Sequence, residues 1–190
     1  MEQLKMIRAL LPDKMTLHAQ VISIKAEEMV QEAKHMREIL GTDLFIKIPV
    51  IEEGIKAMMI LNEKRANITA TAIYTPMQAL MAAKAGARWL APYVNRLDMI
   101  GSDGVGVAIS IHHILSQSST NGQVLGASFK NVDQILRMAE AGASAITAAP
   151  EMLEQLLYHP LTDQAVNDFT KDFEKITGKN QTMLPNNFKL

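Results

Sequence analysis

Short apolar runs rich in β-branched residues alternate with amphipathic segments along the chain. Six of these runs have the length of strands, and each is followed by a segment with the apolar spacing of a helix. The six predicted strands are residues 17–23, 44–48, 67–74, 88–94, 123–128 and 144–149. Strands that alternate with helices indicate parallel pairing through helical crossovers. The chain is therefore predicted to be an α/β protein.

The segments between the runs carry helix signals. Pro76 opens one of them and Gly86 closes it, which is the usual placement of these residues at helix ends. The predicted helices are residues 1–14, 26–40, 52–64, 76–86, 104–118, 131–142, 151–158 and 162–176. A polar tail follows the last of them.

An internal similarity favours a barrel over a doubly wound sheet. Residues 81–92 resemble residues 137–150, with the same helix, glycine, strand and proline in order. No G-x-G-x-x-G opens a helix after a strand, so a dinucleotide fold has no support. We expect one domain over residues 1–190 with a (β/α)8-type barrel, of which six units are visible. A closed barrel needs eight strands, so two units are expected to lie upstream.

The composition excludes several classes of partner. The 190 residues carry a net charge of −1 and no basic stripe, so nucleic acid is not expected. No apolar run approaches the roughly 20 residues of a membrane span, so no membrane is expected. The sequence has no cysteine, which agrees with a reducing, cytoplasmic location.

A lysine lies inside the apolar run "DLFIKIPV", residues 43–50. An ammonium group there costs free energy unless it is paired, reaches water or takes part in chemistry. One interpretation is structural: Lys47 extends to water or pairs with Asp43. The other is that desolvation turns the Lys47 amine into a nucleophile that attacks a carbonyl and forms a Schiff base.

Three further polar residues lie in or next to the apolar strands. Gln20 and Thr71 either satisfy neighbouring polar groups or hold a catalytic water. Tyr93 either packs in the core with its hydroxyl bonded or acts as an acid and base on a substrate hydroxyl. Catalytic groups of parallel barrels lie at the carboxyl ends of strands, so these residues are candidates.

Two residues suit a phosphate group. Arg96 offers a fork of donors, and Ser128 offers a hydroxyl shortly before a helix. The alternative for Arg96 is a salt bridge with Asp98. The five histidines show no metal-ligand spacing and no accompanying acidic cluster, so no metal is expected; they are His18, His35, His112, His113 and His159.

Four motifs in order resemble the small transaldolases and fructose-6-phosphate aldolases. They are "FIKIPV", "TATAIYTPMQALMAAKAGA", "APYVNRLD" and "LGASFK", and the resemblance extends over about residues 15–176. The family has a (β/α)8 barrel that works through a Schiff-base lysine and needs no metal or other cofactor. The resemblance places that lysine at Lys47, a further site residue at Thr71, and phosphate contacts at Arg96 and Ser128.

The resemblance also implies a reaction. Gln20 and Tyr93 are typical of the aldolases of the family, whereas "YTPMQA" is closer to the transaldolase-like branch. The expected activity is cleavage or transfer of the dihydroxyacetone unit of fructose 6-phosphate, with sugar phosphates and small aldehydes or ketones as substrates. A place in carbohydrate metabolism, in the pentose phosphate pathway, follows from the same resemblance, as does a homo-oligomer, pentameric or decameric, with residues 162–190 at the subunit interface.

The family pattern begins with two strands that are not found in this sequence. The first bears a catalytic aspartate, and the second ends in T-T-N-P-S. We therefore expect either a natural start upstream of Met1 or a genuinely short relative of the family, and favour the first. The alternative function is a catalytically impaired barrel with a structural role or none, since missing strands would leave open sheet edges.

Overall fold

The computed structural model describes residues 1–12, 14–143 and 145–184. These residues form nine helices and six strands, joined by loops. The strands are β1 (His18–Gln20), β2 (Phe45–Pro49), β3 (Asn67–Ile73), β4 (Trp89–Pro92), β5 (Gln123–Gly126) and β6 (Ala145–Ile146). The helices are α1 (Glu2–Leu10), α2 (Ala26–Leu40), α3 (Glu52–Glu63), α4 (Pro76–Lys84), α5 (Val94–Asp98), α6 (Gly104–Ser116), α7 (Val132–Glu140), α8 (Pro150–Leu157) and α9 (Pro160–Thr177).

The strands form one parallel sheet in the order β1-β2-β3-β4-β5-β6. Each strand pairs with the next one along the chain, with helices between them. This sequential order is that of a (β/α)8 barrel, and the six strands form part of such a barrel. The predicted fold class and the six βα units are confirmed.

Alternate side chains of the strands enter two environments. Ile46 and Ile48 of β2 are fully buried, as is Ile68 of β3. Ile48 lies against α3, where a carbon added to Gly54 would contact Ile48 and overlap the carbonyl oxygen of Pro49. The helices therefore cover this face of the sheet, and the intervening residues point to the other face, which is the interior of the barrel.

Local signals explain where α4 begins and ends. The Thr75 side chain accepts a hydrogen bond from the Gln78 amide, and the Gln78 side chain bonds back to the Thr75 amide. Pro76 follows the cap, and the helix gives way to Gly86 in the left-handed region at φ +102°. The predicted helix over 76–86 is thus two residues too long.

Several predicted boundaries were wrong. The first strand covers three residues instead of the predicted seven, and the last covers two instead of six. The predicted strand 88–94 ends at Pro92, because the Val94 amide bonds to the carbonyl of Ala127 and the chain turns into α5. Short helix α5 was not predicted. Parts of the predictions on helix 1–14, strand 144–149 and the tail lie outside the described residues: Asp13, Ser144 and 185–190.

The chain divides into two compact units, residues Met1–Ala149 and Pro150–Leu190. The first contains the sheet with α1 to α7, and the second contains α8 and α9. Several large apolar side chains of α9 are exposed, among them Val166 and Phe169. The single domain over residues 1–190 and the interface role of residues 162–190 stay predictions.

Candidate active site

Gln20, Lys47 and Thr69 lie side by side in register on β1, β2 and β3. Residues paired in a parallel sheet point to the same face, so these three side chains form one row in the barrel interior. We call this row the lysine layer. Thr69 is fully buried, Lys47 is half-buried and Gln20 is exposed. The row therefore changes from a closed side at β3 to an open side at β1.

The Lys47 ammonium has no hydrogen bond or ion pair with any residue that the structure describes. The structural interpretation had offered Asp43 as its partner. Both Asp43 carboxylate oxygens instead accept hydrogen bonds from Arg8, at 3.0 and 2.8 Å. A half-buried amine without a carboxylate partner has the environment that a Schiff-base nucleophile requires.

Thr71 and Tyr93 meet at the carboxyl end of the sheet. The Thr71 hydroxyl donates a hydrogen bond to Tyr93 Oη at 3.1 Å, and Thr71 is 1% exposed. A bulge in β3 brings the two together: between Ala70 and Ile73, the register against β4 shifts by one residue, and Ala72 has φ +56°. The predicted candidates from β3 and from the end of β4 are thus in direct contact.

Arg96 and Ser128 belong to adjoining backbone segments. The Asn95 amide donates to the Ser128 carbonyl at 3.0 Å, which joins the start of α5 to the loop after β5. The Arg96 guanidinium lies 4.7 Å from the centre of the Tyr93 ring. A hydrogen bond from Arg96 to the Tyr74 hydroxyl raises the pKa of Arg96 above its ordinary value.

The alternative salt bridge between Arg96 and Asp98 is absent from the described residues. Asp98 instead accepts from the Gly104 amide at 2.7 Å and from the Gln134 side chain at 2.6 Å. The carboxylate thereby joins α5 to α6 and α7. The exposed Arg96 retains donors for an anion.

The sequence analysis missed His18, which lies two residues before Gln20 on the same face of β1. The His18 ring stacks on Phe45 at a centroid distance of 4.5 Å, and its Nδ1 lies 2.9 Å from Thr69 Oγ1. Burial lowers the pKa of His18, and the Lys47 charge lowers it further. Side chains two residues apart on a strand point to the same face, so the alternation along β1 would have placed His18 next to Gln20 of the lysine layer. The sequence analysis considered the histidines only as metal ligands.

The described residues contain no group of three or more histidine or acidic side chains that could hold a metal ion. They also contain no helix that is long and apolar enough to cross a bilayer.

A cavity of about 1120 Å³ lies at the amino ends of the strands, lined by residues that include Asn67, Arg88 and Gln123. These residues begin or directly precede β3, β4 and β5. The sites of parallel barrels lie at the opposite ends of the strands. The candidate side chains, and not this cavity, therefore define the candidate active site.

Two solved structures resemble this fold at low sequence identity. The crystal structure of inosine 5' monophosphate dehydrogenase from Legionella pneumophila matches with a TM-score of 0.58 and 13% identity, over 80% of this chain and 48% of that one. A mandelate oxidase variant matches with a TM-score of 0.56 and 15% identity, over 76% of this chain and 50% of that one. This chain spans about half of each, and the similarity concerns the fold alone.

Curated relatives are more similar in sequence. A protein of Streptococcus pneumoniae named probable fructose-6-phosphate aldolase is 38% identical over 90% of this chain and 78% of its own length. A probable transaldolase of Hydrogenobaculum sp. is 39% identical over 84% of this chain and 73% of its own. One from Thermoplasma acidophilum is 37% identical over 87% and 74%. The family model described as Transaldolase/Fructose-6-phosphate aldolase matches residues 1–186. The chain belongs to the transaldolase/fructose-6-phosphate aldolase family.

Proposed function

We propose that the protein is a class I aldolase that cleaves fructose 6-phosphate reversibly through a Schiff base on Lys47. The observation that carries the proposal is the half-buried Lys47 ammonium, which lies between Gln20 and Thr69 and has no carboxylate partner among the described residues. Family membership supports aldolase-type chemistry.

The reaction begins with attack of the neutral Lys47 amine on the C2 ketone of the sugar. Loss of water from the resulting carbinolamine gives an iminium, which accepts the electron pair released when the C3–C4 bond breaks. The C4 hydroxyl loses its proton in this step, and glyceraldehyde 3-phosphate leaves. The dihydroxyacetone unit remains on Lys47 as an enamine.

Tyr93 is the proposed acid and base. Its hydroxyl, held by Thr71, takes the C4 hydroxyl proton through a water and returns it to the enamine carbon. Gln20 and Thr71 hold this water. Hydrolysis of the iminium then releases dihydroxyacetone and frees Lys47. Transfer of the enamine to a second aldose instead gives the transaldolase reaction. The relatives named probable transaldolase support this second reaction.

Arg96 and Ser128 are the proposed phosphate contacts. Their segments are joined by the hydrogen bond between the Asn95 amide and the Ser128 carbonyl, and Arg96 lies over the ring of Tyr93. A phosphate bound there places the far end of the sugar next to the Tyr93 hydroxyl. The substrate would thus extend from Lys47, past Tyr93, to Arg96.

Reductive trapping tests the proposal. Incubation with dihydroxyacetone and borohydride is expected to add the mass of the reduced adduct to the peptide that contains Lys47. Lys47→Met is expected to abolish this adduct, whereas the control Lys64→Met, at an exposed position after α3, keeps it. Adduct formation in Lys47→Met would assign the chemistry to another amine. No adduct in the unmodified protein would favour the catalytically impaired barrel.

The subunit assembly of the proposed enzyme is a homo-oligomer, a pentamer or a decamer, formed through α9. The exposed apolar side chains Leu161, Val166, Phe169 and Ile176 of this helix support the proposal, because water contact with such a set is unfavourable. Light scattering measures the mass of the particle. The unmodified protein is expected to give the mass of an oligomer, and Phe169→Glu is expected to give a smaller mass. A particle of one chain in the unmodified protein would contradict it.

A further inference from the structure

The hydrogen bond between His18 and Thr69 joins two strands that do not pair with each other. His18 lies on β1 beside Phe45, and Thr69 lies on β3 beside Lys47. The bond of 2.9 Å therefore crosses β2 and rises from the level of Phe45 to the lysine layer. Phe45 and Lys47 point to the same face of β2, so the His18 ring, stacked on Phe45, lies on the face that also bears Lys47.

Each contact of the His18 ring restricts its position. The rings of His18 and Phe45 are nearly parallel, with an angle of 8° between their planes. Nδ1 bonds to the buried Thr69 hydroxyl, and Nε2 lies 3.4 Å from Thr16 Oγ1. A ring held on one face and at both nitrogens cannot turn without losing one of these contacts. It is a fixed surface and not a mobile side chain.

The surroundings of the His18 ring favour its neutral form over its charged form. Burial lowers the pKa of His18, and among the charged groups that the structure describes, Lys47 is the one whose charge lowers it further. A neutral ring matters for the proposed reaction because Lys47 carries a positive charge as an iminium. An imidazolium beside it would oppose that charge.

We propose that the His18–Thr69 pair is a positioning bridge that supports the Lys47 side chain from below and directs its amine toward the carboxyl ends of the strands. The inference rests on the proposed role of Lys47 and adds a residue pair to it. The bridge touches neither substrate nor reacting atoms: it blocks the space into which the lysine stem would otherwise fold back, and it leaves the amine without a competing charge.

Two substitutions remove the bridge with little change in shape. His18→Phe keeps a ring on Phe45 and removes both nitrogens, and Thr69→Val keeps the volume and removes the hydroxyl. Each is expected to lower kcat for fructose 6-phosphate cleavage by about 3- to 10-fold, the worth of one hydrogen bond, with KM nearly unchanged. Thr69→Ser, which keeps the hydroxyl, is expected to restore most of kcat.

The double variant separates a bridge from two independent packing effects. If His18 and Thr69 act as one unit, His18→Phe/Thr69→Val loses no more of kcat than either single variant. Multiplied losses, or a Thr69→Ser variant as slow as Thr69→Val, would overturn the inference. Circular dichroism and thermal unfolding show whether each variant is folded before its rate is used.

The pH profile gives a readout that a purely structural role would not move. In the unmodified protein, acidification through the lowered pKa of His18 places a positive charge beside Lys47, so kcat falls on the acid side. In His18→Phe this group is absent, and the acid limb of the profile is expected to move to lower pH. An identical acid limb in both proteins would contradict the inference.

A measurement without turnover keeps the inference separate from the proposed function. Nitrogen-15 spectra follow the titration of His18 in the unmodified protein and in Lys47→Met. Removal of the neighbouring charge is expected to raise the pKa of His18; identical titrations would overturn the placement of the ring beside the lysine. If borohydride traps nothing on Lys47, the proposed aldolase function fails, whereas this titration still decides whether the bridge lies beside the lysine.

Discussion

Tyr93→Phe removes the hydroxyl that accepts the Thr71 hydrogen bond. The effect on stability follows from the unequal burial of the two partners. Thr71 is 1% exposed, so in the protein without substrate its hydroxyl loses its described partner and has little contact with solvent. Leaving a buried hydroxyl unpaired costs about 1–3 kcal/mol. We expect Tyr93→Phe to lower the free energy of unfolding by an amount in this range.

The reverse change is expected to cost less. In Thr71→Val, the half-buried Tyr93 hydroxyl can bond to water, so the loss is near the low end of the range for one hydrogen bond, about 0.5 kcal/mol. In the double variant no polar group is left unpaired. Thr71→Val/Tyr93→Phe is therefore expected to be more stable than Tyr93→Phe alone, by roughly 1 kcal/mol.

Urea unfolding followed by tryptophan fluorescence measures these differences in the unit that holds the site. Trp89 is the only tryptophan of the sequence and begins β4, in register with Thr69. Tyr74→Phe is the control, because the one hydrogen bond of the Tyr74 hydroxyl among the described residues is with the exposed Arg96, at 3.4 Å. Equal losses in both single variants, or additive losses in the double variant, would refute the reasoning from burial.

Three further predictions concern packing, charge and pH. Gly54→Ala is expected to destabilise the protein by about 1–2 kcal/mol in urea unfolding despite the better helix propensity of alanine, because the added carbon overlaps the Pro49 carbonyl; a gain in stability would contradict this. Arg96→Ala is expected to raise KM for fructose 6-phosphate by roughly 10-fold or more and to leave dihydroxyacetone trapping little changed; equal losses would make Arg96 structural. A hydrogen bond from a helix amide, together with Arg137, lowers the pKa of Asp103. The contribution of Asp103 to stability is present above the ordinary carboxyl pKa and lost on acidification. From about pH 5 to pH 3, the melting temperature of Asp103→Ala should therefore fall less steeply than that of the unmodified protein.

The strands and the candidate residues were predictable because both depend on local pattern. The lysine in "DLFIKIPV" is the one charged residue inside an apolar strand, and catalytic groups of parallel barrels lie at the carboxyl ends of such strands. The same pattern could not show that Asp43 binds Arg8, 35 residues away, since that contact depends on where α1 lies. The environment of Lys47 thus needed the structure, whereas its position did not.

The placement of Tyr93 and Arg96 shows a second limit. "RWLAPYV" has the composition of one continuous strand, and nothing in it marks Pro92 as the last residue of β4. The chain leaves the strand there because the amides of Val94 and Asn95 bond to consecutive carbonyls of the loop after β5, Ala127 and Ser128. Tyr93 therefore precedes α5 and Arg96 lies within it. Hydrogen bonds between segments about 30 residues apart, and not local propensity, determine this placement.

His18 shows a third limit. Its distance from Lys47 in sequence is 29 residues, and its relation to Thr69 depends on two strand pairings at once. Pattern analysis orders residues along one strand but does not fix the register between strands. A residue that acts through a diagonal contact across a sheet is therefore found only when that register is known.

The three-residue length of β1 has a consequence for how often the site is complete. Among the described residues, β1 pairs with β2 through three residues and contacts β3 through the His18–Thr69 hydrogen bond, so few contacts within this sheet hold it in place. Detachment would remove Gln20 and His18 from Lys47 together. Where this local opening costs less free energy than global unfolding, it sets the fraction of molecules with a complete site. Amide hydrogen exchange at residues 18–20, compared with that of β3, measures this fraction directly.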